Sequence, residues 1–197
     1  MQLARRCLDN LTRLAATAHC PLVGLDWVRM KFHGVLLLLA LAFVLPLTAS
    51  AKDSSADTPT LTVVTLDGKN FDLTEQRGHV VLVHFWATWC TPCIKEMPAL
   101  EAFYERYRAR GVEVIALSED RMRDLDEVHH MMHHMNMSYP VAMAHKADRN
   151  SFGKPAELPV TYVLDAGGVV RAEMRPDTQP VTEENLARIV DPLLAAH

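Results

Sequence analysis

A chain of 197 residues with a formal charge of −4 and four cysteines is long enough to bury one ordinary core without a disulfide framework. Cys7 and Cys20 stand far from the tight pair Cys90 and Cys93, which excludes a disulfide-stapled miniprotein. There is no basic stripe and no basic–aromatic interleaving, so nucleic acid is a poor partner.

Near the N-terminus, Met30 and Lys31 lead into the apolar run GVLLLLALAFVLPLT and then Ala49-Ser50-Ala51. A short basic start, an apolar stretch of secretory length and an A-x-A site describe a signal peptide cleaved before Lys52. Residues 1–29 then form an upstream extension that export does not need, and Met30 reads as the functional start. The competing reading is a membrane anchor from about Gly34 to Ala51, marginal in length and interrupted by Pro46. No cysteine directly follows the run, so a lipidated-cysteine anchor is not supported. Either way the remainder is expected to be extracytoplasmic, in a periplasmic or similar space. Residues 1–51 hold five of the twenty Lys and Arg and two of the twenty-four acids, so the remainder carries 15 against 22, a formal charge of −7. Its only cysteines are Cys90 and Cys93.

Residues 52–59, KDSSADTP, read as a flexible linker, and the folded domain is expected over residues 60–197. In LTVVTLDGKNFDL an Asp67-Gly68 turn between alternating segments predicts a hairpin. HVVLVHFWA is almost continuously apolar, the pattern of a strand covered on both faces. Met97, Leu100, Phe103, Tyr104 and Tyr107 then recur at helical spacing until Gly111, with Pro98 expected to kink the first turns. VEVIALS predicts a second buried strand, followed by a helix from about Arg121 to Met135. LPVTYVLDAGGVVRAEM predicts a strand, a turn at Asp165–Gly168 and a returning strand. A final helix over Thr182–Leu194 is capped by Thr182. Strands alternating with helices imply an α/β layered fold with an antiparallel final hairpin.

In this setting Cys90 falls at the start of a helix, directly after a buried strand. Free backbone N–H groups and the positive end of the helix dipole stabilise a thiolate there, which makes Cys90 nucleophilic and exposed to attack its target. Cys93, about one turn on, is placed to resolve a mixed disulfide. Thr91 and Pro92 suit the first turn. Two plainer readings compete. A structural disulfide across so short a loop stabilises little, and a zinc site lacks a second ligand pair.

VLVHFWATWCTPCIKEMP resembles the active-site segment of the thioredoxin superfamily, in particular the TlpA/ResA-like extracytoplasmic thiol-disulfide oxidoreductases. The resemblance extends from LDGKNFDL through GVEVIALS to LPVTYVLDAGGVVR. It implies a thioredoxin-like fold, a central mixed β-sheet flanked by helices with an N-terminal β-hairpin extension. It also implies an enzyme whose only redox centre is the Cys90–Cys93 disulfide, with no further cofactor. The family's cis-proline falls on Pro159, and substrate contact falls on Trp89, Thr91, Pro92, Leu158 and Pro159. Glu96 matches a glutamate implicated in tuning the cysteines, a proton partner for Cys93 if buried; the alternative is a solvated acid near a helix start. Thr-Pro between the cysteines resembles reducing members. The expected partners are protein disulfides, with apocytochrome c haem-site cysteines and copper-delivery proteins as family targets. A membrane thiol-electron transporter is the expected donor.

His84 departs from the resemblance, standing where thioredoxin has a buried aspartate and TlpA-like chains often have asparagine. It is read either as a modulator carrying charge or protons, or as a neutral core histidine bonded to backbone. A second oddity is EVHHMMHHMNM. His129, His130, His133 and His134 are weak metal candidates, set against a reading in which Leu125, Val128, Met132 and Met135 face the core and the histidines face water. The alternatives to a reductase are a disulfide oxidase or isomerase, a peroxidase of the related redoxin group, and a copper chaperone using the cysteine pair with the His/Met helix.

Overall fold

The computed structural model describes residues 58–196. The upstream extension, the signal or anchor, most of the linker, Cys7 and Cys20 lie outside these residues. Among the described residues no helix is long and apolar enough to cross a membrane.

Two strands, β1 (Leu61–Val64) and β2 (Asn70–Asp72), form the expected hairpin, with Gly68 at φ 83° in the turn. Then come β3 (Val80–Trp86), α1 (Thr91–Tyr107), β4 (Val112–Ser118), α2 (Leu125–His134) and β5 (Val141–Met143). The short β6 (Arg149–Asn150), the hairpin β7 (Val160–Leu164) and β8 (Val170–Met174), and α3 (Glu183–Ala195) complete the chain. The main sheet has the order β5-β4-β3-β7-β8. β3, β4 and β5 run parallel, while β7 is antiparallel to β3 and β8 antiparallel to β7. A second sheet, β2-β1-β6, closes on the strand that β6 adds to the hairpin.

β3 is buried along its whole length because both of its faces are covered. Val80, Leu82 and Trp86 share a core with Met97, Leu100 and Phe103 of α1, Val128 of α2, and Leu186 and Val190 of α3. Val81, Val83 and Phe85 point the other way, against Leu61, Val63, Phe71 and Leu73 of the hairpin region. The sheet is thus held between a helical layer and the small sheet, a thioredoxin-like architecture with an N-terminal hairpin extension.

Local chemistry sets the ends. Gly111 (φ 89°) takes the left-handed position that ends the 3-10 turn following α1. Thr182 caps α3 by accepting from the Asn185 N–H at 3.1 Å. The helix expected from Arg121 begins only at Leu125, because Met122–Asp124 form a 3-10 turn. α1 continues through Pro98.

Candidate active site

β3 ends at Trp86 rather than delivering the chain straight to Trp89, and Ala87–Trp89 turn the backbone into α1. Asp120, just past β4, holds that turn. Its carboxylate accepts from the Thr88 N–H (2.9 Å), the Thr88 hydroxyl (2.7 Å) and the Ser118 hydroxyl (2.8 Å). Cys90 follows as the N-cap of α1, in extended conformation, and its Sγ accepts from the Cys93 N–H at 3.2 Å. An orphan N–H of the first helical turn is thereby aimed at sulfur, the arrangement that stabilises a thiolate once the pair is reduced. Thr91 and Pro92 occupy the first turn, where a proline lacks only an N–H that has no helical partner.

Cys90 and Cys93 are joined as a disulfide with Cα atoms 5.3 Å apart. Cys90 is covered, at 4% exposure, where the sequence reading has it exposed. It is covered because it sits at the floor of a groove of about 630 Å³, whose lining includes Trp89, Thr91, Pro92, Glu119, Lys154 and Leu158. Cys93 is at 0% and does not line the groove. Trp89 stands at the rim, 69% exposed. The Leu158–Pro159 peptide is cis, and Pro159 is buried. Cys90, Trp89, Thr91, Pro92 and Leu158 therefore meet in one groove.

Glu96 is 8% exposed, one turn beyond Cys93, and its carboxylate accepts from the Val181 N–H at 3.1 Å. Burial raises its pKa, with the Val181 bond opposing. It is not a solvated first-turn acid.

His84 is fully buried on the helical face of β3, opposite Thr161 of β7. Its Nδ1 lies 2.8 Å from Thr161 Oγ1, so its partner is a side chain rather than backbone. Nε2 has no partner, and burial pulls the pKa down to about 4. The neutral imidazole is the form this environment holds at neutral pH.

α2 turns Val128 into the core, and Leu125, Met131, Met132 and Met135 pack against it, while His130, His133 and His134 are exposed and His129 is half-buried. Among the described residues no group of three or more His, Cys, Asp or Glu is placed to hold a metal ion.

Asp120, Glu119 and Lys154 are site residues that the sequence reading missed. Glu119 is half-buried, and desolvation raises its pKa against the opposing pull of Lys154 and His145. A usable signal existed for the first two. Residues just beyond the C-terminal ends of adjacent parallel strands gather at one edge of an α/β sheet, and β3 and β4 pair with Trp86 opposite Ser118.

The AhpC/TSA family model matches residues 55–173. A thiol-disulfide oxidoreductase ResA of Bacillus cereus is 31% identical over 169 residues, spanning 82% of this chain and 96% of that protein. The chain is a ResA-like thiol-disulfide oxidoreductase of the AhpC/TSA family. Among solved structures, a thiol:disulfide interchange protein of the thioredoxin family from Chlorobium tepidum has a TM-score of 0.57 at 26% identity, covering 70% of this chain and 95% of that one. A secreted thiol-disulfide isomerase from Corynebacterium glutamicum has the same TM-score at 24% identity, covering 70% and 85%, and supports the fold. The ResA-like enzyme thus carries the Cys90–Cys93 pair as a candidate centre for thiol–disulfide exchange.

Proposed function

We propose that this oxidoreductase works outside the cytoplasm as a reductase of selected protein disulfides, with Cys90 attacking and Cys93 resolving. The observation that carries the assignment is the asymmetry of the pair: Cys90 lines an open groove, whereas Cys93 is sealed beneath it. In the reduced enzyme the Cys90 thiolate attacks one sulfur of a client disulfide and expels the other as a thiolate. The mixed disulfide is broken when the Cys93 thiolate attacks Cys90 Sγ, releasing the second client sulfur. The client gains two electrons and two protons, and the enzyme is left as the Cys90–Cys93 disulfide. Glu96, its pKa raised by burial, takes the Cys93 proton as that thiol becomes the nucleophile. Trp89, Thr91, Pro92, Leu158 and Pro159 hold the client backbone beside Cys90.

The reducing direction is supported by the Thr91-Pro92 dipeptide, which resembles reducing members of the family. The export signal or anchor in residues 30–51 and the secreted neighbour support the location. The family's reducing members supply the client classes, apocytochrome c haem-site cysteines or copper-delivery proteins, and a membrane thiol-electron transporter as donor.

A redox titration combined with trapping tests this reading. The Cys90/Cys93 couple is expected well below the roughly −120 mV of a strong oxidant. Cys93→Ser is expected to accumulate a mixed disulfide at Cys90 whose partner mass spectrometry identifies. A potential near that of a strong oxidant assigns the opposite direction, and an empty trap removes the dedicated-client reading.

A further inference from the structure

The His/Met segment of α2 has no part in the dithiol site, and its two residue types are sorted by the fold. Met131, Met132, Met135 and Met137 pack against the core, so their thioethers are committed to packing and do not assemble a soft Cu(I) site on the wet face. The imidazoles remain. His130 and His134 are both exposed, and their rings lie face to face with centroids 6.3 Å apart and planes inclined by 10°. His129 is half-buried.

We propose that His130 and His134 form an open two-imidazole site for a divalent transition-metal ion, Cu(II) foremost. Residues four apart on a helix present their side chains to the same side, the spacing by which helical histidine pairs share a zinc ion. α2 already holds the two side chains together, so the second imidazole binds intramolecularly at high effective concentration. Both rings are exposed, and rotation about their side-chain bonds turns them from stacked to convergent without moving the core. Nitrogen donors select Cu(II) over Ni(II) and Zn(II) by the ordinary stability order. No third donor is preassembled among the described residues, so part of the coordination sphere stays open to water or to a donor from another protein. The residues beyond position 51 carry a formal charge of −7, which draws cations to the protein as a whole. The site needs no thiol and does not depend on the direction of disulfide exchange.

The test uses the full chain in mild detergent, with the Cys90–Cys93 disulfide intact and Cys7 and Cys20 alkylated, titrated with Cu(II) chloride in a weakly coordinating buffer. Calorimetry is expected to show one saturable equivalent at micromolar concentration, and frozen-solution electron paramagnetic resonance to show nitrogen ligation. His130→Ala and His134→Ala are each expected to weaken binding at least about tenfold, while His129→Ala and His133→Ala stay within about twofold. Alanine favours helix at these α2 positions, so unchanged far-ultraviolet circular dichroism verifies that each variant is folded. The proposal is overturned by no saturable binding up to about 100 μM. It is equally overturned by binding that survives His130→Ala and His134→Ala, or by losses of equal size for all four variants.

Discussion

Replacing His84 with Asn tests the buried neutral imidazole through the pH dependence of stability. In the folded protein His84 is wholly buried with a pKa of about 4, against 6.5 for an unperturbed histidine. Below about pH 6.5 the unfolded chain therefore takes up a proton that the folded protein refuses. The stability linked to His84 is complete above that pH and is lost as pH falls toward 4. At about 1.4 kcal/mol per tenfold difference in proton affinity, the loss is about 2 kcal/mol at pH 5 and about 3 kcal/mol at pH 4. Asn does not titrate, so His84→Asn removes this dependence whatever constant offset its packing introduces. The assay is urea unfolding of both proteins from pH 7.5 to 4.5, disulfide intact, followed by tryptophan fluorescence. The exposed histidines are common to both proteins and cancel in the difference. The gap between variant and wild type is expected to shift in favour of the variant by about 2 kcal/mol between pH 7.5 and 5. A gap that stays constant across that range refutes a neutral buried His84.

Three further predictions concern the groove and its supports. Glu96→Gln keeps an acceptor for the Val181 N–H but loses the titrating carboxyl. The raised pKa of Glu96 means the folded state holds its proton above the ordinary carboxylate range. Its stabilisation is present at low pH and is lost as pH rises through the folded value. Glu96→Gln should therefore gain stability relative to wild type toward neutral pH by urea unfolding, while resolution of the mixed disulfide slows by about a hundredfold in stopped-flow exchange. Trp89→Ala removes a side chain that is 69% exposed. Its unfolding free energy should stay within about 0.5 kcal/mol, while kcat/KM toward a protein disulfide falls by about tenfold and toward a small-molecule disulfide hardly at all. Asp120→Ala strands the Thr88 N–H and two hydroxyl donors. A loss of about 2 to 4 kcal/mol is expected in denaturant unfolding, together with slower exchange, because the turn leading to Cys90 loses its anchor.

Sequence pattern reached the strands that are buried on both faces and the helices with an apolar stripe, because burial imposes period on residue type. β3, β4 and the β7–β8 hairpin were legible on those grounds. β5 and β6 were not: with three and two residues they are shorter than any period, and only their neighbours, β4 and β1, make them strands. The same limit governed the site. Cys90 and Cys93 are close in sequence, and their spacing on a helix start carries their chemistry. Lys154 comes to the groove through the loop after β6, a tertiary fact with no local signal, whereas Asp120 is reachable only by reasoning from the pairing of β3 with β4. The covering of Cys90 has the same origin, since the groove walls come from Glu119 and from the segment Lys154 to Leu158, both distant in the chain. His84 was recognisable as unusual, but its neutrality follows from complete burial and a single hydroxyl partner.

His84 and Glu96 together constrain how charge is managed beneath the disulfide. Burial drives both toward their neutral forms, the imidazole by losing a proton and the carboxyl by keeping one. Their linkages to stability have opposite signs, so where both titrate acidification weakens the fold through His84 while it strengthens it through Glu96. For the cysteines this leaves no fixed cation at these two buried positions to hold a thiolate. Stabilisation of a Cys90 thiolate falls to the Cys93 N–H at the helix start and to Lys154 in the groove, with Glu119 and Glu157 opposing the lysine. Reduction of the disulfide then takes up two protons with two electrons until the Cys90 thiol itself ionises. Over that range the potential falls by about 59 mV for each pH step, and the slope halves where the thiolate appears. The pH of that break reports the Cys90 pKa directly, and its movement in a Lys154→Gln protein measures how much of the thiolate's stabilisation comes from the groove rather than from α1.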